Sequence, residues 1–256
     1  DVIIGVIIIA SFLLAFVFFG IMLTGLFSAG GGIGLAGFGG DVGVIEIAGA
    51  ISDATSASVI KQLDKWAENN SIKAIVIHIN SPGGGVAPSQ EIYDAVLRCR
   101  DEKPVVASMA SVAASGGYYV ACAADRIIAN PGTLTGSIGV ILQFNTFELL
   151  MQKIGIGLET VKSGELKDVG NYSREMTEEE ALMLRAVVMD TYEQFVEAVA
   201  EGRSKTKEEI YPLADGSIFT GLQAYNLGLV DTLGGLHEAV QLAADLAHIE
   251  GKPTVV

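Results

Sequence analysis

The stretch Ile72-Lys73-Ala74-Ile75-Val76-Ile77-His78-Ile79-Asn80-Ser81-Pro82-Gly83-Gly84-Gly85 decides the fold. Over residues 72–79 nearly every side chain is apolar, and most are β-branched. That is the pattern of a strand covered on both faces, not of one with a wet side. The Asn-Ser-Pro-Gly-Gly-Gly run then ends the strand, and a helix is expected over about 88–100. A buried strand, a glycine turn and a helix make the repeating unit of a layered α/β protein with a largely parallel sheet.

The same alternation extends in both directions. Residues 42–48 alternate as a strand, and Ser52-Asp53 caps a helix reaching about Asn69. Downstream, a strand is expected over 104–109 and a helix beginning near Ser115. Short strands follow at 126–129 and 137–142, then a helix over 145–154 and a strand over 158–162. Thr177-Glu178-Glu179-Glu180 is a capping box that opens a long helix to about Gly202. Leu184, Val188, Tyr192, Phe195 and Val199 form its apolar stripe, a packing face and not a cofactor site. No internal repeat of 20–50 residues is visible.

Ahead of this body, residues 2–40 carry no charge. Residues 1–27 are read as a transmembrane anchor, since about 20 apolar residues span a bilayer core. Ser28-Ala29-Gly30 is small enough to suit a signal peptidase, but the apolar run is longer than a cleavable signal needs. Residues 28–40, with seven glycines in thirteen positions, read as a flexible linker. The body, 41–256, is acidic: it holds all 16 Lys and Arg against 29 of the 30 Asp and Glu. Nucleic acid is therefore excluded as a partner, because its affinity comes from cations meeting phosphates. Cys99 and Cys122 have neither disulfide-framework nor metal-ligand spacing, and read as buried thiols. No cofactor and no metal are expected.

Two glycine turns carry the chemistry. The first, 80–85, lacks the Lys-Ser/Thr ending of a nucleotide-binding loop and the dinucleotide spacing. It reads as a tight turn, or as a loop whose N–H groups meet a developing oxyanion. The second is Ala113-Ala114-Ser115-Gly116-Gly117-Tyr118-Tyr119, where a serine flanked by small residues opens a helix. It reads as an N-cap or as an exposed nucleophile with the Gly116 N–H beside it. A serine nucleophile needs a base. His78 lies inside the buried strand, while His237 and His248 sit on a C-terminal amphipathic helix, so no triad is suggested. Lysine remains, and Lys162 and Lys167 both follow a predicted strand; spacing alone does not choose between them. Either must lose about three pKa units to act near neutrality, which apolar surroundings can supply.

Together these blocks resemble the signal peptide peptidase A family, peptidase family S49, within the Clp-protease/crotonase superfamily. The resemblance is carried by Ile79-Asn80-Ser81-Pro82-Gly83-Gly84-Gly85, by 113–119, by Asn130-Pro131-Gly132-Thr133-Leu134-Thr135-Gly136-Ser137-Ile138-Gly139, and by Lys162-Ser163-Gly164 with Lys167-Asp168. Ala214-Asp215-Gly216-Ser217-Ile218-Phe219-Thr220-Gly221 and Gly228-Leu229-Val230-Asp231 are similar to its closing segment. It covers about 42–244 and implies an α/β fold of the Clp-protease/crotonase type, with repeated ββα units, behind one N-terminal transmembrane helix. It implies that Ser115 is the nucleophile, Lys167 the base and Ser137 the residue orienting that lysine. Gly84 and Gly116 would form the oxyanion hole, with Gly83 as the alternative one residue back. The family often has a basic residue where this chain has His78.

With one copy of the domain, the chain is similar to the short form of the family, which needs identical subunits to build a ring. Nucleophile and lysine are then expected from neighbouring copies. The function implied is ATP-independent hydrolysis of remnant signal peptides and other short apolar peptides. The location implied is a single-pass cell-membrane protein with its catalytic domain on the extracytoplasmic side. Other readings are a stomatin-associated membrane serine protease, a crotonase-like acyl-CoA enzyme, and a non-catalytic scaffold.

Overall fold

The computed structural model describes residues 40–256. The expected membrane anchor over 1–27, and all but the last residue of the linker over 28–40, lie outside the described residues. Among the described residues no helix is long and apolar enough to cross a membrane.

The body opens with β1 (Val42–Ala48), α1 (Asp53–Glu68), β2 (Ala74–Ser81), α2 (Val86–Arg100) and β3 (Val105–Ala114). The six-residue α3 (Gly116–Ala121), β4 (Arg126–Ala129), β5 (Leu134–Gly136) and α4 (Glu148–Ile154) follow. A 3-10 turn, Glu165–Asp168, precedes the long α5 (Glu178–Gly202) and the short α6 (Lys207–Ile210). The chain closes with β6 (Ile218–Thr220), α7 (Gly221–Asn226), β7 (Thr232–Leu233) and α8 (Leu236–Leu246).

The main sheet runs β1-β2-β3-β4-β7, all parallel. One helix separates each of β1, β2, β3 and β4, so the main sheet is built of β–α units. Only β4–β5, among the described strands, follow one another directly.

β2 shows why its sequence is apolar throughout. Ile75, Ile77 and Ile79 face a core filled by α1, α2 and α5 side chains such as Leu63, Ile92 and Val199. Ala74 and Val76 face the opposite layer, formed with Ala239, Val240, Ala243 and Ala244 of α8. The two-residue period of a strand sends alternate side chains to two different helical layers.

β3 does two jobs along its ten residues. Its first half pairs with β2 and β4 through Val105–Met109. Its last three residues pair with β5, in the register Val112↔Leu134, Ala113↔Thr135 and Ala114↔Gly136. β6 then adds to β5 antiparallel. This extension delivers the end of β3 to the functional site.

Two expected strands are absent. Instead of 137–142, the strand is Leu134–Gly136. Ser137 takes a positive φ of 50° and donates its N–H to Ser217 O, which ends the ladder. Residues 158–162 form no strand, because no described segment supplies a partner; Val161 is wholly exposed. Apolar alternation is only a necessary condition for a strand, since the backbone groups must also be paired. The helix from Thr177 forms as expected, with both capping-box hydrogen bonds present. Cys99 and Cys122 are both buried free thiols, and burial pushes them up to about 11 and about 12.

Candidate functional site

Ser115 sits at the junction of β3 and α3 with φ 51° and ψ −123°. A non-glycine residue at positive φ costs on the order of 1–3 kcal/mol and persists only where its surroundings enforce it. The surroundings here are specific. Ser115 N–H donates to Gly136 O at 2.9 Å, and Ser115 O accepts from Tyr119 N–H at 2.9 Å. Thr135 Oγ1 donates to Ala113 O at 2.6 Å, tying β5 to the last turn of β3. Tyr118, fully buried, anchors α3 by donating to Leu229 O at 2.9 Å. Tyr119 lies between Tyr93 and Phe195, with ring centroids 4.9 and 5.0 Å away.

The first glycine turn packs directly on this junction. A methyl group added to Gly83 would lie 2.7 Å from Gly116 N and 2.9 Å from Ser115 Cβ. Glycine is therefore required at 83 both for its φ of +101° and for this approach. Ile51 holds the turn from behind, donating to Gly83 O and accepting from Gly85 N–H, both at 2.9 Å. In such a parallel bridge the middle residue, Gly84, turns its own N–H away from Ile51.

Of the three candidate oxyanion glycines, Gly83 is the one whose N–H is engaged within the turn itself. Its N–H already donates to the buried Ser81 Oγ at 3.1 Å. Gly84 N–H has no acceptor among the described residues, and Gly116, as first residue of α3, has none by helix geometry. Ser115, Gly84 and Gly116 line one cleft of about 120 Å³, whose apolar walls include Val86, Tyr119, Val140, Ile141 and Phe195. Two uncommitted N–H groups and a strained serine thus share one apolar-walled space.

Ser137 is one residue beyond the Ala114↔Gly136 pairing, beside Ser115 at the ends of adjacent strands. Both serines are half-buried, with nearly equal positive φ values.

The comparisons with known proteins bear on what such a cleft does. The profile of peptidase family S49 matches residues 98–250, and the Clp protease profile matches residues 41–133. This chain belongs to peptidase family S49. A Synechocystis protein described as a protease is 46% identical over 80% of this chain and 74% of its own length. A described signal peptide peptidase A of Enterococcus faecium is 38% identical over 71% of this chain, but only 53% of its own length. The chloroplastic serine protease SPPA of Arabidopsis thaliana is 34% identical over 85% of this chain, which spans 34% of that relative. The family is one of serine peptidases, and this member is a serine protease by that relationship.

The two lysines of this S49 peptidase are treated differently by the fold. Lys162 Nζ donates to Asp168 Oδ1 at 2.9 Å and to Glu165 O at 2.8 Å. The Asp168 carboxylate first, then that of Glu165 at 3.3 Å, holds its ammonium above the usual lysine range. Lys167 stands exposed on the 3-10 turn Glu165–Asp168 and does not line the cleft. The described chain therefore brings together Ser115, Gly84, Gly116 and Ser137, but not Lys167.

His78 is structural, with Nδ1 at 3.2 Å from Ser108 Oγ across β2 and β3. Sequence reasoning passed over Ser81 and Ser89. Ser81 Oγ takes up the Gly83 N–H. Ser89 Oγ, donating to Gly85 O at 2.8 Å, occupies the space where a side chain at Gly116 would go. The only signal for either was its place just before or just after the Pro-Gly-Gly-Gly turn.

Proposed function

We propose that this S49 member cuts peptide bonds with Ser115 as nucleophile and Lys167, supplied by a neighbouring copy of the chain, as general base. The observation that carries the reading is Ser115 at φ 51° in a cleft with the uncommitted N–H groups of Gly84 and Gly116. A neutral Lys167 amine takes the Ser115 proton, and Oγ attacks the substrate carbonyl carbon. The two glycine N–H groups receive the charge that develops on the carbonyl oxygen. The ammonium then protonates the leaving amine, and water, giving up a proton to the lysine, hydrolyses the acyl-enzyme. Ser137, at the neighbouring strand end, is suited to accept or donate a hydrogen bond to the incoming amine and aim it.

Lys162 is a poorer candidate, because its acidic partners favour the charged form that cannot accept a proton. A lysine from another copy is supported by the exposed apolar surface. Ile141, Leu149, Ile154 and Leu182 are 84%, 73%, 60% and 63% exposed, and single chains rarely leave so much apolar area open. A homo-oligomeric ring covers that surface and gives the amine a drier environment, which lowers its pKa.

The apolar cleft walls support short apolar peptides as substrates, among them remnant signal peptides, and nothing in the mechanism calls for ATP. An N-terminal anchor in the cell membrane, with the catalytic body on the extracytoplasmic side, would hold it beside such material. The testing experiment is labelling with a fluorophosphonate followed by peptide mapping. The label is expected on Ser115 in the full chain and absent from Ser115→Ala; a label on any other serine overturns the nucleophile assignment.

A further inference from the structure

We infer that Arg174 is a positioning residue that fixes the turn carrying Lys167, an inference that rests on the reading of Lys167 as the base. Arg174 touches neither the cleft nor Lys167. Its guanidinium forks onto Asp168, with Nε 3.2 Å from Oδ2 and Nη2 3.0 Å from Oδ1. It also reaches Glu180, with Nη1 2.9 Å from Oε2 and Nη2 on Oε1. Glu180 is almost fully buried at the third position of α5, and its carboxylate accepts the Thr177 N–H at 2.9 Å. Arg174 therefore ties the residue next to Lys167 to the capped start of the longest helix described.

The geometry gives the tie a consequence. Consecutive side chains on a 3-10 turn point about 120° apart. Asp168 is drawn inward by Arg174, by Lys162 Nζ at 2.9 Å and by Asn171 Nδ2 at 3.3 Å, leaving its side chain 14% exposed. Lys167, one residue earlier, is thereby turned outward. A planar, bidentate cation suits this role, because it fixes the orientation of two carboxylates as well as neutralising them. A lysine at 174 would supply charge without the fork.

The test compares Asp168→Ala, Arg174→Lys and Lys167→Ala in the full chain, using a soluble peptide substrate. Asp168→Ala cuts the tie to the turn while leaving the buried Glu180 its arginine, so the start of the helix keeps its partner. The assay follows kcat and KM across pH and titrates reactive serine with fluorophosphonate. A misplaced catalytic group costs up to about 100-fold. Asp168→Ala is expected to lower kcat about 10- to 100-fold with KM within about twofold, and Arg174→Lys to fall between it and wild type. The titrated serine should stay at the wild-type level, and the rising limb of the kcat profile, where the base loses its proton, should move to higher pH. Wild-type kcat in both variants, or loss of kcat only in proportion to lost serine titre, overturns the positioning role. An active Lys167→Ala instead overturns the underlying assignment of the base, whatever the other two variants do.

Discussion

Ser115 is where local preference and tertiary structure disagree most. An L-residue at φ 51° and ψ −123° is held there by the Gly136 and Tyr119 hydrogen bonds and by the Gly83 turn pressed against it. Glycine at that position relieves the strain. Strain of about 1–3 kcal/mol, less the roughly 0.5–1 kcal/mol that glycine loses in chain entropy, leaves a net gain of about 1 kcal/mol. Ser115→Gly should therefore be inactive yet more stable than wild type in denaturant unfolding, whereas Ser115→Ala should be inactive and no more stable. A Ser115→Gly protein less stable than wild type would show the turn to be relaxed. The strand-to-helix turn at this serine was legible from its small flanking residues, but they suit an N-cap as well as a nucleophile, and only the family resemblance singled the serine out. Its strain was not legible, because positive φ at this serine is imposed chiefly by Gly136 and the Gly83 turn, which are distant in sequence.

At the scale of elements, β2 was readable because its apolar residues, Ala74 to Ile77 and Ile79, alternate between two helical layers. The capping box at Thr177 was readable because its two hydrogen bonds span three residues. The strand expected over 137–142 lies instead wholly ahead of that span, at Leu134–Gly136, because its limits are set by pairing to β3 and by the Ser217 carbonyl, neither of them local. The tie between the Lys167 turn and α5 left no sequence signal beyond separate charges, and it has a pH signature. Arg174 and the Thr177 N–H hold Glu180 down at about 2 from 4.5, and Arg174 and Lys162 hold Asp168 below its usual 3.8. Depressed carboxylates contribute stability above their unfolded values and lose it as pH falls through the folded ones. Lys162, raised by Asp168, contributes below 10.5 and loses its share as pH rises beyond that. The Tm difference between wild type and Arg174→Gln should accordingly be flat from about pH 5 to 9 and shrink between about pH 4.5 and 2. A difference that grows on acidification would contradict this network.

For the whole molecule, the proposed mechanism needs more than one described chain. The cleft holds Ser115 and the N–H groups of Gly84 and Gly116, which have no acceptor among the described residues, while Lys167, proposed as base, stands exposed and does not line it. The apolar residues left open over 141–161 and at the start of α5 are consistent with a surface that another copy covers. The measurement that bears most directly on this is subunit mixing. Ser115→Ala and Lys167→Ala, each inactive alone, are combined under conditions where exchange of differently tagged subunits is verified. Shared sites predict that peptide hydrolysis returns on mixing, because some interfaces pair an intact serine with an intact lysine. Verified exchange with no recovered activity would place the whole dyad within one chain and contradict the account.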